Sequence, residues 1–318
     1  MLTPIEKLLF VIAFCASGYT AFLVARRIAS IIRRGPGSLS TDDIVRRLAH
    51  ATVVAITQKT VLKRRLLPSI AHALIVWGFI YFLLANLADV LQAMIPNYVF
   101  LGNGALGSAF RFGAELVGIG VLIGVVTLML RRWLIDPKVF SFQGNTLLHP
   151  KAVAGIKRDS FIVSMFILVH VTSHGLGATI ISYRHTYACG FVAAALCGIW
   201  SGIPTEVVDV LEHVFFWGSI GTILGLAPYF LISKHIHIFV APLNFLLKPD
   251  RRSIGALEKI DMSDETITQF GAAKLEHLSQ PQLLDAYACI MCNRCQDACP
   301  AYTTGKALSP SALEINKR

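Results

Sequence analysis

Residues 66–88 read LLPSIAHALIVWGFIYFLLANLA, which is 23 residues in a row without a charge. A helix needs about 20 apolar residues to cross the hydrocarbon core of a bilayer. Four further apolar runs lie at Leu8–Ala25, Phe112–Leu130, Ser160–Tyr183 and Val214–Ser233. The sequence therefore predicts an all-α membrane protein with five spanning helices.

The composition of the 318-residue chain agrees with that prediction. Hydrophobic residues make up 54%, charged residues 15%, and the mean hydropathy is +0.61. A soluble globular chain carries roughly 25% charged residues. The composition therefore excludes an ordinary soluble enzyme, a disordered chain and a coiled coil.

The basic residues indicate the orientation of the spans. Of the 29 Lys and Arg, 26 lie in residues 26–65, 131–158 and 234–318, and five spans place these three stretches on one side. Cytoplasmic loops are enriched in Lys and Arg. We therefore expect a bacterial or archaeal inner-membrane protein with its N-terminus outside and its C-terminus in the cytoplasm. A sixth span through the uncharged run Thr186–Thr205 would break this pattern, so we expect that run to be external or re-entrant.

The net charge of +10 fits this topology as well. Basic loops next to a membrane are attracted to anionic lipids. The charge distribution thus favours a lipid bilayer as partner and not a nucleic acid.

Four of the seven cysteines form a compact motif near the C-terminus. Cys289, Cys292, Cys295 and Cys299, followed by Pro300, have the C-x2-C-x2-C-x3-C-P spacing of bacterial ferredoxins. Cysteines two residues apart hold three irons of a cubane from one loop, whereas zinc sites usually pair two distant C-x2-C halves. The motif predicts a 4Fe–4S cluster, which suits the reducing cytoplasm.

The chain divides into three predicted parts. These are a transmembrane domain over residues 1–247, a cytoplasmic linker over 248–280 and a ferredoxin-type segment over 281–318. In two-cluster ferredoxins the fourth cysteine of one run ligates the other cluster, and a second run is absent here. We therefore expect the segment to be a truncated ferredoxin-like domain, or a partner to supply the rest.

Six histidines lie in the apolar runs or at their ends: His72, His170, His174, His213, His235 and His237. A lone histidine is often a hydrogen-bonded structural residue, but polar groups inside a bilayer tend to be functional. Paired imidazoles between spanning helices are typical of haem ligation. The sequence predicts one or two b-type haems.

Depth in the bilayer, at about 1.5 Å per helical residue, pairs these histidines at two levels. His72 matches His235 or His237, and His213 matches His170 or His174. In each of these alternatives we expect one histidine to be the ligand. We leave Glu115 open as a proton-relay or quinone-site group, or as an interfacial partner of Arg111.

Several motifs carry a family resemblance. They are His72 with Trp77-Gly78-Phe79, Pro228-Tyr229, Lys234–His237, Pro242–Asn244, Leu283–Cys289, Cys299–Ala301 and Thr304–Pro310. The sequence resembles membrane-bound iron–sulfur oxidoreductases in which a nitrate-reductase-gamma-like cytochrome b domain is fused to a heterodisulfide-reductase-like part. That family supplies haem ligands from spans two and five. Here span two offers only His72, so a second haem either takes a ligand from span four or is absent.

The resemblance implies an electron-transfer-flavoprotein:quinone oxidoreductase. Electrons would pass between a cytoplasmic donor, electron-transfer flavoprotein, and membrane quinone as substrate, through the cluster and the haems. One alternative is a quinol-oxidising subunit of a heterodisulfide- or nitrate-type reductase complex. Another is a non-catalytic membrane anchor. No catalytic residue is assigned.

Overall fold

The computed structural model describes residues 2–63, 65–135, 140–184, 190–250, 262–266 and 270–318. The regular elements in these ranges are all helical. In chain order the α-helices are α1 (Pro4–Ile32), α2 (Ile44–Thr57), α3 (Lys59–Leu62), α4 (Leu66–Met94), α5 (Ala105–Leu130), α6 (Pro150–Arg184), α7 (Phe191–Leu196), α8 (Thr205–Phe216), α9 (Thr222–Ile232), α10 (His237–Leu247), α11 (Gln280–Ala288), α12 (Arg294–Asp297), α13 (Pro300–Thr303) and α14 (Pro310–Asn316).

Five helices are long and apolar enough to cross a membrane. They are α1, α4, α5 with its extension to Ile135, α6, and α8 joined to α9 through the π-turn Trp217–Gly221. Many large apolar side chains on them are exposed, such as Ile5 and Phe22 on α1. Contiguous apolar surface of this kind marks contact with lipid or a partner. The prediction of an all-α membrane protein with five spans is confirmed.

The uncharged run after α6 does not form a sixth spanning helix. Within its described part, residues 190–205, the chain forms the six-residue α7 and a 3-10 turn, Cys197–Trp200. Residues 186–189 lie outside the described ranges. The side of the membrane on which this segment lies stays a prediction.

The chain forms two compact units. One comprises Met1–Ala21, Gln58–Pro137 and Arg158–Tyr229, and the other comprises Phe22–Thr57, Lys138–Lys157 and Phe230–Arg318. They are called the helical unit and the cysteine unit below. The predicted domain boundaries at 247 and 280 stay a prediction, and much of the predicted linker (251–261 and 267–269) is outside the described residues.

Small residues let α4 and α5 pack closely in the helical unit. A Cβ on Gly78 would lie 2.0 Å from Val121 Cγ2, and one on Gly124 would lie 2.5 Å from the Ala71 carbonyl oxygen. Van der Waals packing through small residues is what brings helices together in lipid. The adjoining core contains Phe82, Ala85, Val121, Val125 and, from α6, Val171.

An apolar core also organises the cysteine unit. Leu283, Leu284 and Tyr287 of α11 are buried with Ile32 at the end of α1 and with residues of the Lys234–Leu247 region. The end of a spanning helix and the helix that leads into the cysteine motif therefore share one core.

Candidate functional site

The cysteine motif forms a tight loop after α11. Cys289 follows α11 in extended backbone, and Cys299 precedes α13, whose first residue is Pro300. Between them, Met291 and Asn293 adopt left-handed backbone, with φ of +61° and +60°. Asn tolerates this conformation better than other residues with a side chain. One of these residues lies between the first and second cysteines and the other between the second and third, so the loop turns back on itself at both places.

A buried polar network supports this loop from behind. Ser311 Oγ donates to Asn293 Oδ1 at 2.7 Å, and Ser309 Oγ donates to Gln296 Oε1. Ser309 also caps α14 by accepting the Ala312 amide at 3.1 Å. The four polar residues are each at most 3% exposed, so burial without these bonds would be costly. The cysteine spacing gave no sign of this network, which ties the loop to α14.

The thiols are compatible with an iron–sulfur cluster in chemistry and setting. The Met291 amide donates to Cys289 Sγ at 3.4 Å, and such hydrogen bonds tune cluster potentials. Burial raises the pKa of the Cys289 thiol to about 11, so bound iron would have to stabilise its thiolate. None of the six described cysteines forms a disulfide.

The sulfurs are not converged on one point. Among the described residues, no three His, Cys, Asp or Glu side chains lie close enough to hold one metal ion. The fit to a 4Fe–4S cluster therefore rests on the donor set, the curled loop and its amides.

The connection between α5 and α6 holds the segment after the cysteines. Gln143 Nε2 donates to the Tyr302 carbonyl at 2.7 Å, and Asn145 Nδ2 donates to the Gly305 carbonyl at 3.0 Å. Asn316 accepts the His149 amide at 2.9 Å through its side-chain oxygen. The chain thus fixes the ferredoxin-type segment against a loop between two spanning helices.

His170, on α6, has the arrangement of a potential haem ligand. Its Nδ1 lies 3.1 Å from the Ser219 carbonyl oxygen. Its Nε2 is buried, and no hydrogen-bond partner for it is found in the described structure. Metal-ligating histidines usually donate one ring nitrogen to a carbonyl or carboxylate and use the other for the metal. The His170 ring packs edge-on against Phe82, with centroids 5.3 Å apart.

His174, one turn further along α6, is paired differently. Its Nε2 lies 3.3 Å from Asp89 Oδ2 on α4. Asp89 directly follows the second apolar run, and the hydropathy pattern gave no sign of this pairing. The structure thus distinguishes two histidines that the sequence left as alternatives.

His213, on α8, belongs to a carboxylate–imidazole arrangement. Its Nδ1 lies 2.9 Å from Glu6 Oε1, and Trp217 Nε1 donates to the same oxygen at 3.2 Å. Glu6 lies in the first turn of α1 and was also missed by the sequence analysis. A carboxylate on one ring nitrogen fixes a ligating imidazole and raises its basicity. This arrangement leaves Nε2 for a ligand.

A cavity of about 490 Å³ lies within the helical unit. His174 and His213 both line it, together with Asp89 and Glu115. It is lined by the last turns of α4 and α6, by the first half of α5, and by the end of α8 with the π-turn that follows it. The predicted partners His174 and His213 therefore line the same cavity, while His170 is not among its lining residues.

Glu115 has a clear structural role beside this cavity. Its carboxylate accepts the backbone amides of Val192 and Ala193, each at 2.9 Å. A Cβ on Gly190 would lie 2.1 Å from Glu115 Oε2, so only glycine admits this approach. The acid holds the start of α7 against α5.

The remaining predicted histidines divide between the two units. His72 lies on α4 in the helical unit, whereas His235 and His237 lie in the cysteine unit. The rings of His235 and His237 have centroids 6.3 Å apart. The pairing of His72 with either one joins the two units and stays a prediction.

Comparison with known proteins adds independent information. The chain is 30% identical over 315 residues to the probable iron-sulfur-binding oxidoreductase FadF of Bacillus subtilis, covering 98% of this chain and 42% of that protein. It is 27% identical over 281 residues to the EtfAB:quinone oxidoreductase of Syntrophomonas wolfei, and this match covers 86% of this chain and 37% of that protein. A probable membrane-anchored ferredoxin of Chromohalobacter salexigens is 31% identical over 115 residues, and this match covers 34% of this chain and 17% of that protein.

The chain spans about two fifths of the length of the first two relatives. No protein-family model and no solved structure matches it. The relatives support a membrane iron–sulfur oxidoreductase, which agrees with the five spans and the cysteine motif.

Proposed function

We propose that the protein passes electrons between a cytoplasmic electron-transfer flavoprotein and membrane quinone. The observation that carries the proposal is a ferredoxin-type cysteine loop attached to five spanning helices. The similarity to FadF and to the EtfAB:quinone oxidoreductase, over nearly the whole chain for the former, supports it.

Cys289, Cys292, Cys295 and Cys299 would hold the 4Fe–4S cluster, which supplies one-electron transfer when bound. The curled loop and the network of Asn293, Gln296, Ser309 and Ser311 keep these cysteines in place. Bonds from the α5–α6 connection fix the segment that follows them. The protein's part is to position the centres and to set their potentials.

His170 and His213 are the histidines of the helical unit whose surroundings best fit haem ligation. His170 offers a buried Nε2 while Ser219 occupies its Nδ1. His213 is oriented by Glu6 and Trp217. A b-type haem at either residue would supply a one-electron step within the bilayer.

The cavity in the helical unit is our candidate site for the quinone. Its volume of about 490 Å³ is within the range of roughly 300–1,000 Å³ for small-molecule sites. Quinone reduction consumes two electrons and two protons. His174 and Asp89, whose Nε2 and Oδ2 atoms are 3.3 Å apart, would hold protons at the cavity wall.

A second candidate function is that of a membrane-anchored ferredoxin without haem. The match to a probable protein of that name favours it, although it covers only 34% of this chain. In this case the spans serve to hold the cluster at the membrane for a partner that carries out the chemistry. A quinol-oxidising subunit of a reductase complex would use the same centres with electrons flowing in the opposite direction.

A reduced-minus-oxidised optical spectrum, with haem and iron quantified, separates these candidates. We expect about four non-haem irons per chain together with the absorption bands of b-type haem. Non-haem iron without haem would reject the cytochrome function and leave the anchored ferredoxin. Haem without non-haem iron would reject both candidates.

A further inference from the structure

We infer that α2 lies in the membrane interface and binds an anionic phospholipid. The acyl chains would contact an exposed apolar side of the helix, and the phosphate would contact a basic cavity at its edge. This inference does not depend on the proposed function.

Two opposite sides of α2 are apolar. Ala51 and Val54 are buried on the side that packs on α10. Val45, Leu48, Val53 and Ile56 are 78%, 55%, 56% and 52% exposed. At 3.6 residues per turn, these four side chains centre on the side opposite Ala51 and Val54. A surface helix normally carries one apolar stripe, so the second stripe indicates an apolar environment outside the fold.

The chain itself keeps α2 close to the membrane. Residues 33–43 link it to α1, and residues 58–65 link it to α4. Both neighbours are spanning helices. Even fully extended, these links reach only about 40 Å and 30 Å. The exposed apolar side is therefore tethered at both ends within reach of a bilayer surface.

The basic edge of α2 lies between its two apolar sides. Arg46 and His50 are one turn apart there, and with Lys248 they line a cavity of about 440 Å³. The Arg46 side chain is 61% exposed. A cluster of cations beside an apolar helix face is the arrangement that attracts anionic headgroups.

Neighbouring residues hold this edge in place. Arg47, only 6% exposed, donates to the Asp42 and Lys248 carbonyls and pairs with Asp250. Asp250 also lies 2.8 Å from Arg46 Nη2.

Lys248 is engaged as well, since its Nζ lies 2.9 Å from Asp285 Oδ2. The cavity is lined by three permanent cations, Arg46, Arg47 and Lys248, and by the carboxylate of Asp250. Because Asp285 neutralises Lys248, a net excess of one positive charge remains. This excess favours a singly charged anion, such as the phosphodiester of a phospholipid.

Lipid binding to the purified full chain in detergent tests the headgroup contact. Native mass spectrometry would compare phosphatidylglycerol with phosphatidylcholine of the same acyl chains, on the wild type, on Arg46→Gln and on Lys306→Gln. Lys306 is an exposed base in the ferredoxin-type segment and serves as the matched control. We expect phosphatidylglycerol to bind more tightly to the wild type. Arg46→Gln should lose about fivefold in affinity and the control variant nothing, from roughly 1 kcal/mol per surface base.

Two results would overturn the headgroup contact. One is an equal loss in the two variants. The other is displacement of phosphatidylglycerol by inorganic phosphate at the same concentration, because the acyl chains would then contribute nothing.

A photoreactive benzoylphenylalanine at position 53 or 54 tests the apolar side. In membranes, we expect the probe at Val53 to form lipid adducts and the probe at Val54 to cross-link within the chain to α10. Adducts of the Val53 probe with another polypeptide, or with neither lipid nor protein, would refute an interfacial position.

Discussion

His213 Nδ1 lies 2.9 Å from Glu6 Oε1, a carboxylate that is 207 positions away in the sequence. Lys7, beside Glu6, donates to the Met94 carbonyl at 2.8 Å, and the Leu2 amide donates to the Ala93 carbonyl at 3.3 Å. The start of α1 is therefore anchored at the end of α4, in the position where its acid orients a histidine of α8.

The first prediction concerns this acid. Glu6→Gln keeps the shape of the side chain but removes the charge that supports the His213 imidazole. Loss of such an outer partner typically costs about 10–100-fold in affinity for the bound group. We expect weaker haem retention and a raised midpoint potential, measured by redox titration of the optical spectrum. The exposed Glu265→Gln is the control. An unchanged potential in Glu6→Gln would argue against His213 as a ligand.

The second prediction separates the two histidines of α6. His170→Ala should remove one haem per chain, because its buried Nε2 is the atom that fits a ligand. His174→Ala should retain the haem and affect quinone reduction instead, because His174 faces Asp89 in the cavity. Haem quantification of both variants checks this assignment. The reverse pattern would make His174 the ligand.

The third prediction concerns proton handling in the cavity. Asp89→Asn should slow quinone reduction by roughly 10²-fold or more, the usual contribution of a positioned acid or base. Chemical reduction of the protein by dithionite should stay unchanged. Asp159→Asn, whose carboxylate accepts the Tyr229 hydroxyl, is the control. Equal rates in the two variants would exclude Asp89 from proton transfer.

The fourth prediction concerns the cysteine loop. Both Asn293→Ala and Asn293→Gly remove the hydrogen bond from Ser311. Alanine is also strained in the left-handed backbone conformation at φ +60°, whereas glycine adopts it without strain. We expect iron content to fall in the order wild type, Gly variant, Ala variant. Cys292→Ser should lose the cluster, and Cys197→Ser should keep it. Full iron content in Cys292→Ser would contradict the ligand set.

The fifth prediction tests the close contact of α4 and α5. Gly78→Ala inserts a methyl group 2.0 Å from Val121 Cγ2, a stiff β-branched side chain. Overpacking of this kind costs about 1–3 kcal/mol. Gly18→Ala on α1 meets nothing within 4 Å and is the matched control. Thermal unfolding in detergent should show a lower midpoint for Gly78→Ala alone.

Hydropathy was enough to predict the five spans, because each run must fill a bilayer of fixed thickness. The apolar runs are shorter than the helices that contain them, because the helices continue beyond the hydrocarbon core. The last span begins at Thr205, nine residues before the apolar run at Val214. The charge pattern also predicted that the run after α6 would not cross, and the short α7 agrees within the described residues.

The pairs Asp89–His174 and Glu6–His213 lay beyond reach of the sequence. The residues of the first pair are 85 positions apart and those of the second pair are 207 positions apart, so no helical or strand periodicity relates them. The cysteine spacing marked its own loop, but the supporting Ser309 and Ser311 follow the motif by ten or more residues. The sequence pattern thus identified the candidate histidines and cysteines, whereas the side chains that orient them become visible only in the packed structure.

The proposed function requires electrons to pass through this protein between flavoprotein and quinone. The most direct measurement mixes reduced electron-transfer flavoprotein with the protein in lipid nanodiscs containing quinone, and follows quinol formation. We predict quinol at a rate that Cys292→Ser abolishes and Cys197→Ser preserves. The absence of quinol, with wild-type protein whose iron and haem content has been verified, would refute the proposed function.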